Sequence, residues 1–246
     1  MTGTRAAICA LYVMTALPAV AQCRQALALG FDVSGSVDAR EYRLQIDGLA
    51  AALTDPDVRH AFLIAPETPV RLMMYEWSGP EDQRIVVPWT DIQTQTDLDQ
   101  ISIDLLATTP AQEREIDTAI AAAMMFGARQ LMQQSTCWQR TLDISGDGPA
   151  NVGVHPQAVT EAFLDGITVN GLVIVPNSRA NTTKNRTNAK TLEVYYNSYV
   201  IRGPGAFVET ADTHAVFAQA MRRKLIRELE LPNLSQLHLP HDQPDR

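Results

Sequence analysis

Residues 26–37 read ALALGFDVSGSV, and this stretch decides the fold. Ala26–Phe31 is a short apolar run suited to a buried strand, and it stops at Asp32. Beyond it Asp32, Ser34 and Ser36 place an acid and two hydroxyls at every second position. Asp38 then offers a helix N-cap ahead of Leu44, Ile46, Leu49 and Leu53, a helix that should run to about Ala52. The motif therefore sits where a strand ends and a helix begins.

The same alternation continues down the chain. Val70–Trp77 and Arg84–Trp89 are apolar runs joined by Ser78–Gln83, a turn-rich link too short for a crossover helix. These two should pair as an antiparallel hairpin. Helices are expected over Thr94–Leu106, Thr118–Gln134, Pro156–Leu164 and Asp212–Leu229, and strands over Thr141–Ile144, Ile167–Val175 and Ala206–Glu209. Pro176–Lys190 is polar and aperiodic and reads as an exposed loop, and Leu192–Val200 is mixed. The pattern is an α/β, doubly wound fold: a mostly parallel central sheet with one antiparallel edge strand and helices on both faces. In such sheets ligands sit at the carboxyl ends of strands, where the winding reverses.

Residues 1–21 carry one charge, Arg5, then the apolar run Ala6–Leu17 and the small-x-small pair Ala19 and Ala21. That is the pattern of a signal peptide cleaved before Gln22, so the protein is expected to be exported, periplasmic or secreted. Residues 22–230 form the domain, and the proline-containing segment 231–246 reads as a flexible tail. Net charge goes from −8 to −9 once Arg5 leaves, which argues against nucleic acid or anionic lipid as the main partner. No later segment is long and apolar enough to enter a membrane. Arg222-Arg223-Lys224 with Arg227 reads as the solvated face of the last helix. With Cys9 gone, Cys23 and Cys137 remain, lying respectively nine residues before Asp32 and ten before Asp147. If two parallel strands run side by side to those acids, a Cys23–Cys137 disulfide is geometrically allowed.

Three pieces then need a common explanation: Asp32-x-Ser34-x-Ser36 after the first strand, Thr118 at a helix start, and Asp147-Gly148 after a later strand. Each alone is an ordinary cap or turn. Together they are an all-oxygen set without His or Cys, the donor set of a hard cation such as Mg²⁺, with Mn²⁺ or Ca²⁺ as alternatives. Asp143 stands on the same later strand and competes with Asp147 for the role; the Gly after Asp147 favours the latter.

This order of residues resembles the von Willebrand factor A domain and its metal-ion-dependent adhesion site. More closely, Asp32–Val37, Glu76-Trp77-Ser78, Asp143–Gly148, Asn170-Gly171-Leu172 and Gly203–Phe207 resemble a family of uncharacterised exported bacterial proteins with this fold. The resemblance implies that Ser34 and Ser36 bind the metal through their hydroxyls and Thr118 directly or through water. It implies that Asp32 and Asp147 hold metal-bound waters, and that an Asp or Glu of a partner protein fills the open position. The alternative is a metal-dependent hydrolase or phosphatase-like enzyme using the same oxygens. Ser34 stands where an aspartyl-phosphate phosphatase needs its second acid, no Gly-x-Ser-x-Gly elbow is present at either motif, and no His lies near the acids in sequence. A non-catalytic binding module is the expectation.

Overall fold

The computed structural model describes residues 23–110, 116–175, 183–213 and 216–230. The expected signal segment and the tail lie outside the described residues. One six-stranded sheet runs in the order β3-β2-β1-β4-β5-β6. Its strands are β1 (Cys23–Asp32), β2 (Val70–Trp77), β3 (Gln83–Ile92), β4 (Cys137–Gly146), β5 (Thr168–Ile174) and β6 (Val208–Ala211). All neighbours are parallel except β2 and β3, the expected edge hairpin.

β1 is buried along its whole length, as a strand covered on both faces must be, and it therefore reads as an apolar run without alternation. β3, at the edge, mixes exposed and buried positions. One face is packed by α1 (Ala39–Thr54), α2 (Pro56–Leu63), α3 (Gln95–Ala107) and α6 (Phe217–Leu229); the other by α4 (Ile120–Met132) and α5 (Thr183–Tyr199). The pleat sorts β1 between them: Leu27, Leu29 and Phe31 enter the first core, Ala26 and Ala28 the second.

Local chemistry sets the helix starts. Asp38 accepts from the backbone N–H of Arg40 and Glu41 while the Glu41 carboxylate accepts from the Asp38 N–H, a capping box. Thr94 and Asp97 repeat the device for α3, so that helix begins one residue later than expected. Several expectations are corrected. Asp55 closes α1 and at once caps α2, with Pro56 in its first turn; this helix was absent from the sequence reading because Asp-Pro also spells a stop. The helix expected over Pro156–Leu164 is a single 3₁₀ turn, Pro156–Ala158, followed by turns. The loop expected to reach Lys190 gives way at Thr183 to α5, whose buried Leu192 and Tyr196, with Val200 just past its end, face the sheet at helical spacing. The final strand lies two residues later than expected, over Val208–Ala211.

In the β1–β4 register Cys23 stands directly opposite Cys137, and a disulfide joins them across a Cα–Cα distance of 4.6 Å. It closes a sequence separation of 114 residues, so its loss should free much chain entropy in the unfolded state. Replacing both cysteines with serine is expected to lower stability by roughly 3 kcal/mol, measured by urea denaturation against the oxidised wild type. Reducing the wild type should give a comparable loss.

Candidate functional site

β1 and β4 are the neighbours from which the chain winds away in opposite directions, so the switch point lies between their carboxyl ends. Phe31 is registered with Ser145, which brings Asp32 beside Gly146 and places Asp147 just past the strand. After Asp32 the chain turns sharply: Asp32 Oδ1 accepts from the Ser34 N–H at 2.8 Å, and the Val37 N–H donates to the Ser34 carbonyl at 2.9 Å. Alternate side chains of the turn thereby point toward β4.

A continuous chain of oxygens results. Thr118 Oγ1 donates to Ser34 Oγ at 3.2 Å, Ser34 and Ser36 Oγ lie 3.2 Å apart, and Ser36 Oγ donates to Asp147 Oδ1 at 2.7 Å. All five residues singled out from the sequence meet here. Ser34 and Asp32 are fully buried, Thr118 and Asp147 nearly so, and Ser36 is exposed at the rim. Thr118 stands just ahead of α4 rather than within it.

Asp32 Oδ2 is buried and has no hydrogen-bond partner among the described residues. Burial, then the nearby Asp147 carboxylate, push the Asp32 carboxyl up to about 7. Two further buried polar atoms, Tyr196 OH and Trp77 Nε1, also have no hydrogen-bond partner among the described residues. Burial and the charges of Asp32 and Asp147 hold the Tyr196 phenol well above its ordinary range. A Cβ on Gly146 would lie 2.6 Å from Tyr196 OH and 3.0 Å from Asp32 Oδ2, so only glycine lets β4 pass this close beneath the site. Unsatisfied buried oxygens beside convergent hydroxyls mark a place built to receive something.

Of the supporting residues, Asn151 carried no signal in the sequence, whereas Glu76-Trp77-Ser78 is one of the stretches that carry the resemblance. Asn151 Oδ1 accepts from the Thr118 N–H at 2.8 Å, and the Asn151 N–H donates to the Thr118 carbonyl at 3.0 Å, so Asn151 clamps Thr118 from both sides. The Trp77 carbonyl accepts from Val33 N–H and the Ser78 carbonyl from Ala119 N–H, which ties the end of β2 to both the first motif and the Thr118 segment. Glu76, buried beside them, is held by the Arg84 guanidinium and the Tyr42 hydroxyl.

Asp143 is not part of this cluster. It registers with Leu29, and Leu29 and Phe31 face the first core, whereas the neighbours of Asp32, Tyr196 and Trp77, belong to the second. Asp143 instead meets Lys224 of α6 at 3.0 Å, and Lys224 also donates to Glu228 at 2.6 Å. This corrects the reading of the last helix as carrying a solvated basic face: Lys224 is fully buried, Arg222 pairs with Asp55 and Asp57, and Arg223 with Glu209. Burial pushes the Asp143 carboxyl up against the pull of Lys224.

Among the described residues, no group of three or more His, Cys, Asp and Glu side chains is placed to hold a metal ion, and no helix is long and apolar enough to cross a membrane. The cluster at the strand ends is of another kind, two carboxylates and three hydroxyls.

The fold is the doubly wound one of von Willebrand factor A-like proteins. The chain is similar to proximal thread matrix protein 1 (PTMP1) from the mussel byssus: 14% identity, 85% of this chain and 48% of that one, TM-score 0.55. It is similar to the pilus adhesin SpaC from Lactobacillus rhamnosus GG, at 14% identity over 84% of this chain and 30% of that one, TM-score 0.54. It is also similar to an aerotolerance-related membrane protein from Bacteroides fragilis, at 16% identity over 82% and 98%, TM-score 0.51. It thus spans about half the length of PTMP1 and less than a third of SpaC. No curated protein sequence matches the chain. A family model matches residues 22–233, and the chain belongs to that family, described as Protein of unknown function (DUF1194).

Proposed function

We propose that the protein is an exported, non-catalytic binding module in which a divalent cation, Mg²⁺ first, docks an Asp or Glu side chain of a partner protein. The observation that carries this is the oxygen chain from Thr118 through Ser34 and Ser36 to Asp147, drawn from separate segments onto one switch point, with Asp32 Oδ2 left unsatisfied beneath it. The donor set fits a hard cation, which takes oxygen ligands and keeps some of its waters. Ser34, Ser36 and Thr118 would supply hydroxyls, and Asp32 and Asp147 would supply charge and accept from bound water. The cation would supply an electron-poor centre that seeks an anionic ligand.

The rim suits a protein contact. Ile116 is 76% exposed, and its carbonyl accepts from the Gly35 N–H at 3.0 Å, so an apolar side chain stands beside the polar centre. PTMP1 has been solved with zinc in its MIDAS motif, and SpaC is an adhesin; these are fold relatives, and they support the reading by analogy alone. The Cys23–Cys137 disulfide and the expected signal segment favour an oxidising compartment.

Isothermal titration with Mg²⁺ and Mn²⁺ tests the site. Saturable binding is expected for the wild type, with a loss of about 100-fold in Ser34→Ala/Ser36→Ala, the scale seen when groups that hold a metal are removed. A wild type without cation-dependent heat would refute the proposal. Partner capture from exported proteins should fall when EDTA is added, and equal recovery would count against a metal-bridged contact.

A further inference from the structure

A second built site lies at the other end of the sheet. A cavity of about 800 Å³ opens at the amino ends of β4 and β5, where Gln25, Thr141, Asn170 and Glu228 form a buried polar wall. Seven strand residues from Gln25 to Asp32 put it roughly 20 Å from Asp32. The Asn170-Gly171 and Gly203–Phe207 stretches, which the strand-end cluster leaves unexplained, both shape it.

Its walls are interlocked. Asn170 Nδ2 donates to Glu228 Oε1 at 2.8 Å, and Asn170 Oδ1 accepts from the Phe207 N–H at 3.1 Å. Gln25 Nε2 donates to Thr141 Oγ1 at 2.9 Å and to the Glu228 carbonyl at 3.1 Å. Gly203 has φ +89°, and a Cβ there would lie 3.2 Å from Thr168 Cα, so the loop takes this path only with glycine. The Arg227 guanidinium lies 3.8 Å from the centroid of the Phe207 ring. Glu228 Oε2, by contrast, has no hydrogen-bond partner among the described residues. The inner wall is thus a fixed polar surface whose groups are largely met by one another and by Lys224.

The chemistry of the lining narrows the ligand. Carboxylates of Glu161, Asp165, Glu228 and Glu230 outnumber the guanidinium groups of Arg140 and Arg227, which disfavours phosphate or sulfate ligands. Arg202 offsets Glu161 at 3.4 Å, and Lys224 is shared between Glu228 and the buried Asp143, so the surroundings of the cavity stay acidic. Amides and carboxylates on the inner wall disfavour an apolar ligand. Trp138 lines the cavity and is 64% exposed, a flat apolar surface at the mouth of a polar cleft. An uncharged polyhydroxylated ligand satisfies all three features: hydroxyl groups donate to the exposed Asp165 and Glu230 carboxylates and accept from Arg227, while a C–H face lies on the indole. We propose that this cavity binds an oligosaccharide of uncharged sugars, independently of the cation site.

The test is an array of uncharged, amino and acidic oligosaccharides read with the purified labelled protein, followed by titration of the hits monitored by ¹⁵N NMR. Expected are hits among the uncharged glycans. Affinity should fall at least 10-fold in Trp138→Ala and several-fold in Arg227→Ala, both surface changes that leave the core intact. Binding should survive EDTA and Ser34→Ala/Ser36→Ala, which separates its failure from that of the cation reading. No uncharged hit, hits confined to amino or acidic glycans, or binding indifferent to Trp138→Ala would overturn it.

Discussion

Replacing Lys224 with methionine is expected to cost roughly 3–5 kcal/mol of stability near pH 8, the scale for breaking a buried ion pair by removing one partner. The Lys224 ammonium is fully buried, 3.0 Å from Asp143 and 2.6 Å from Glu228, and nothing else cationic among the described ion pairs reaches these two acids. Methionine fills most of the space, so the loss is electrostatic: two carboxylates are left in one apolar interior. The deficit should shrink as pH falls, because protonation removes the uncompensated charges. Urea denaturation of wild type and Lys224→Met at pH 8 and pH 5 checks this. Adding Asp143→Asn and Glu228→Gln should recover more than half of the loss, and equal stability of Lys224→Met and wild type at pH 8 would show that the pair carries nothing.

Asp32→Asn is expected to act with opposite signs on stability and on cation binding. The folded-state Asp32 carboxyl is raised from 3.8 to about 7, by burial first and Asp147 second. A raised carboxyl means the unfolded chain releases its proton before the native one does, so native stability falls as pH climbs from about 4 to about 7 and is flat above. The contribution is on the order of 4 kcal/mol. Asparagine cannot ionise and keeps an oxygen for the Ser34 N–H, so without metal the variant should be more stable than wild type at pH 8 and similar at pH 4. Asp143 also titrates with a raised value, so the difference between the two proteins, not the slope of either, isolates Asp32.

Saturating Mg²⁺ should close most of that gap. Wild type would gain about 2.7 kcal/mol at a hundredfold excess over Kd, and Asp32→Asn would gain little. Affinity should also weaken below pH 7, because proton and cation compete for the same carboxylate. Thermal melts at pH 4, 6 and 8 with and without Mg²⁺ measure all of this. A metal-free Asp32→Asn protein less stable than wild type at pH 8 would make the carboxylate a structural group. The trade of stability for a charged buried acid is what a binding site requires and a mere turn does not.

The sheet was legible because its strands are short apolar runs cut by turn signals, and the edge hairpin because Ser78–Gln83 is too short for anything else. The five residues that meet at the switch point were legible only as a set, each alone being an ordinary cap or turn, and the cysteines because parallel strands carry nearly equal offsets to equal depths. What the sequence left open was every feature that depends on which face a residue takes. Asp143 and Asp147 are four apart and would share a face in one strand, yet β4 ends at Gly146, so the first meets Lys224 and the second lies beside Ser36. Lys224 looked like its arginine neighbours until helix packing turned it inward against two acids. Asn151, Tyr196 and Glu228 carry no local signature, and the partner of Asn170 was not legible either, because the residues they meet lie tens of residues away. The sequence by itself determined the layers and the oxygen set; only the tertiary structure decided which buried charges are paired and which are left facing a site, since pairing is a matter of distance across elements rather than of spacing along them.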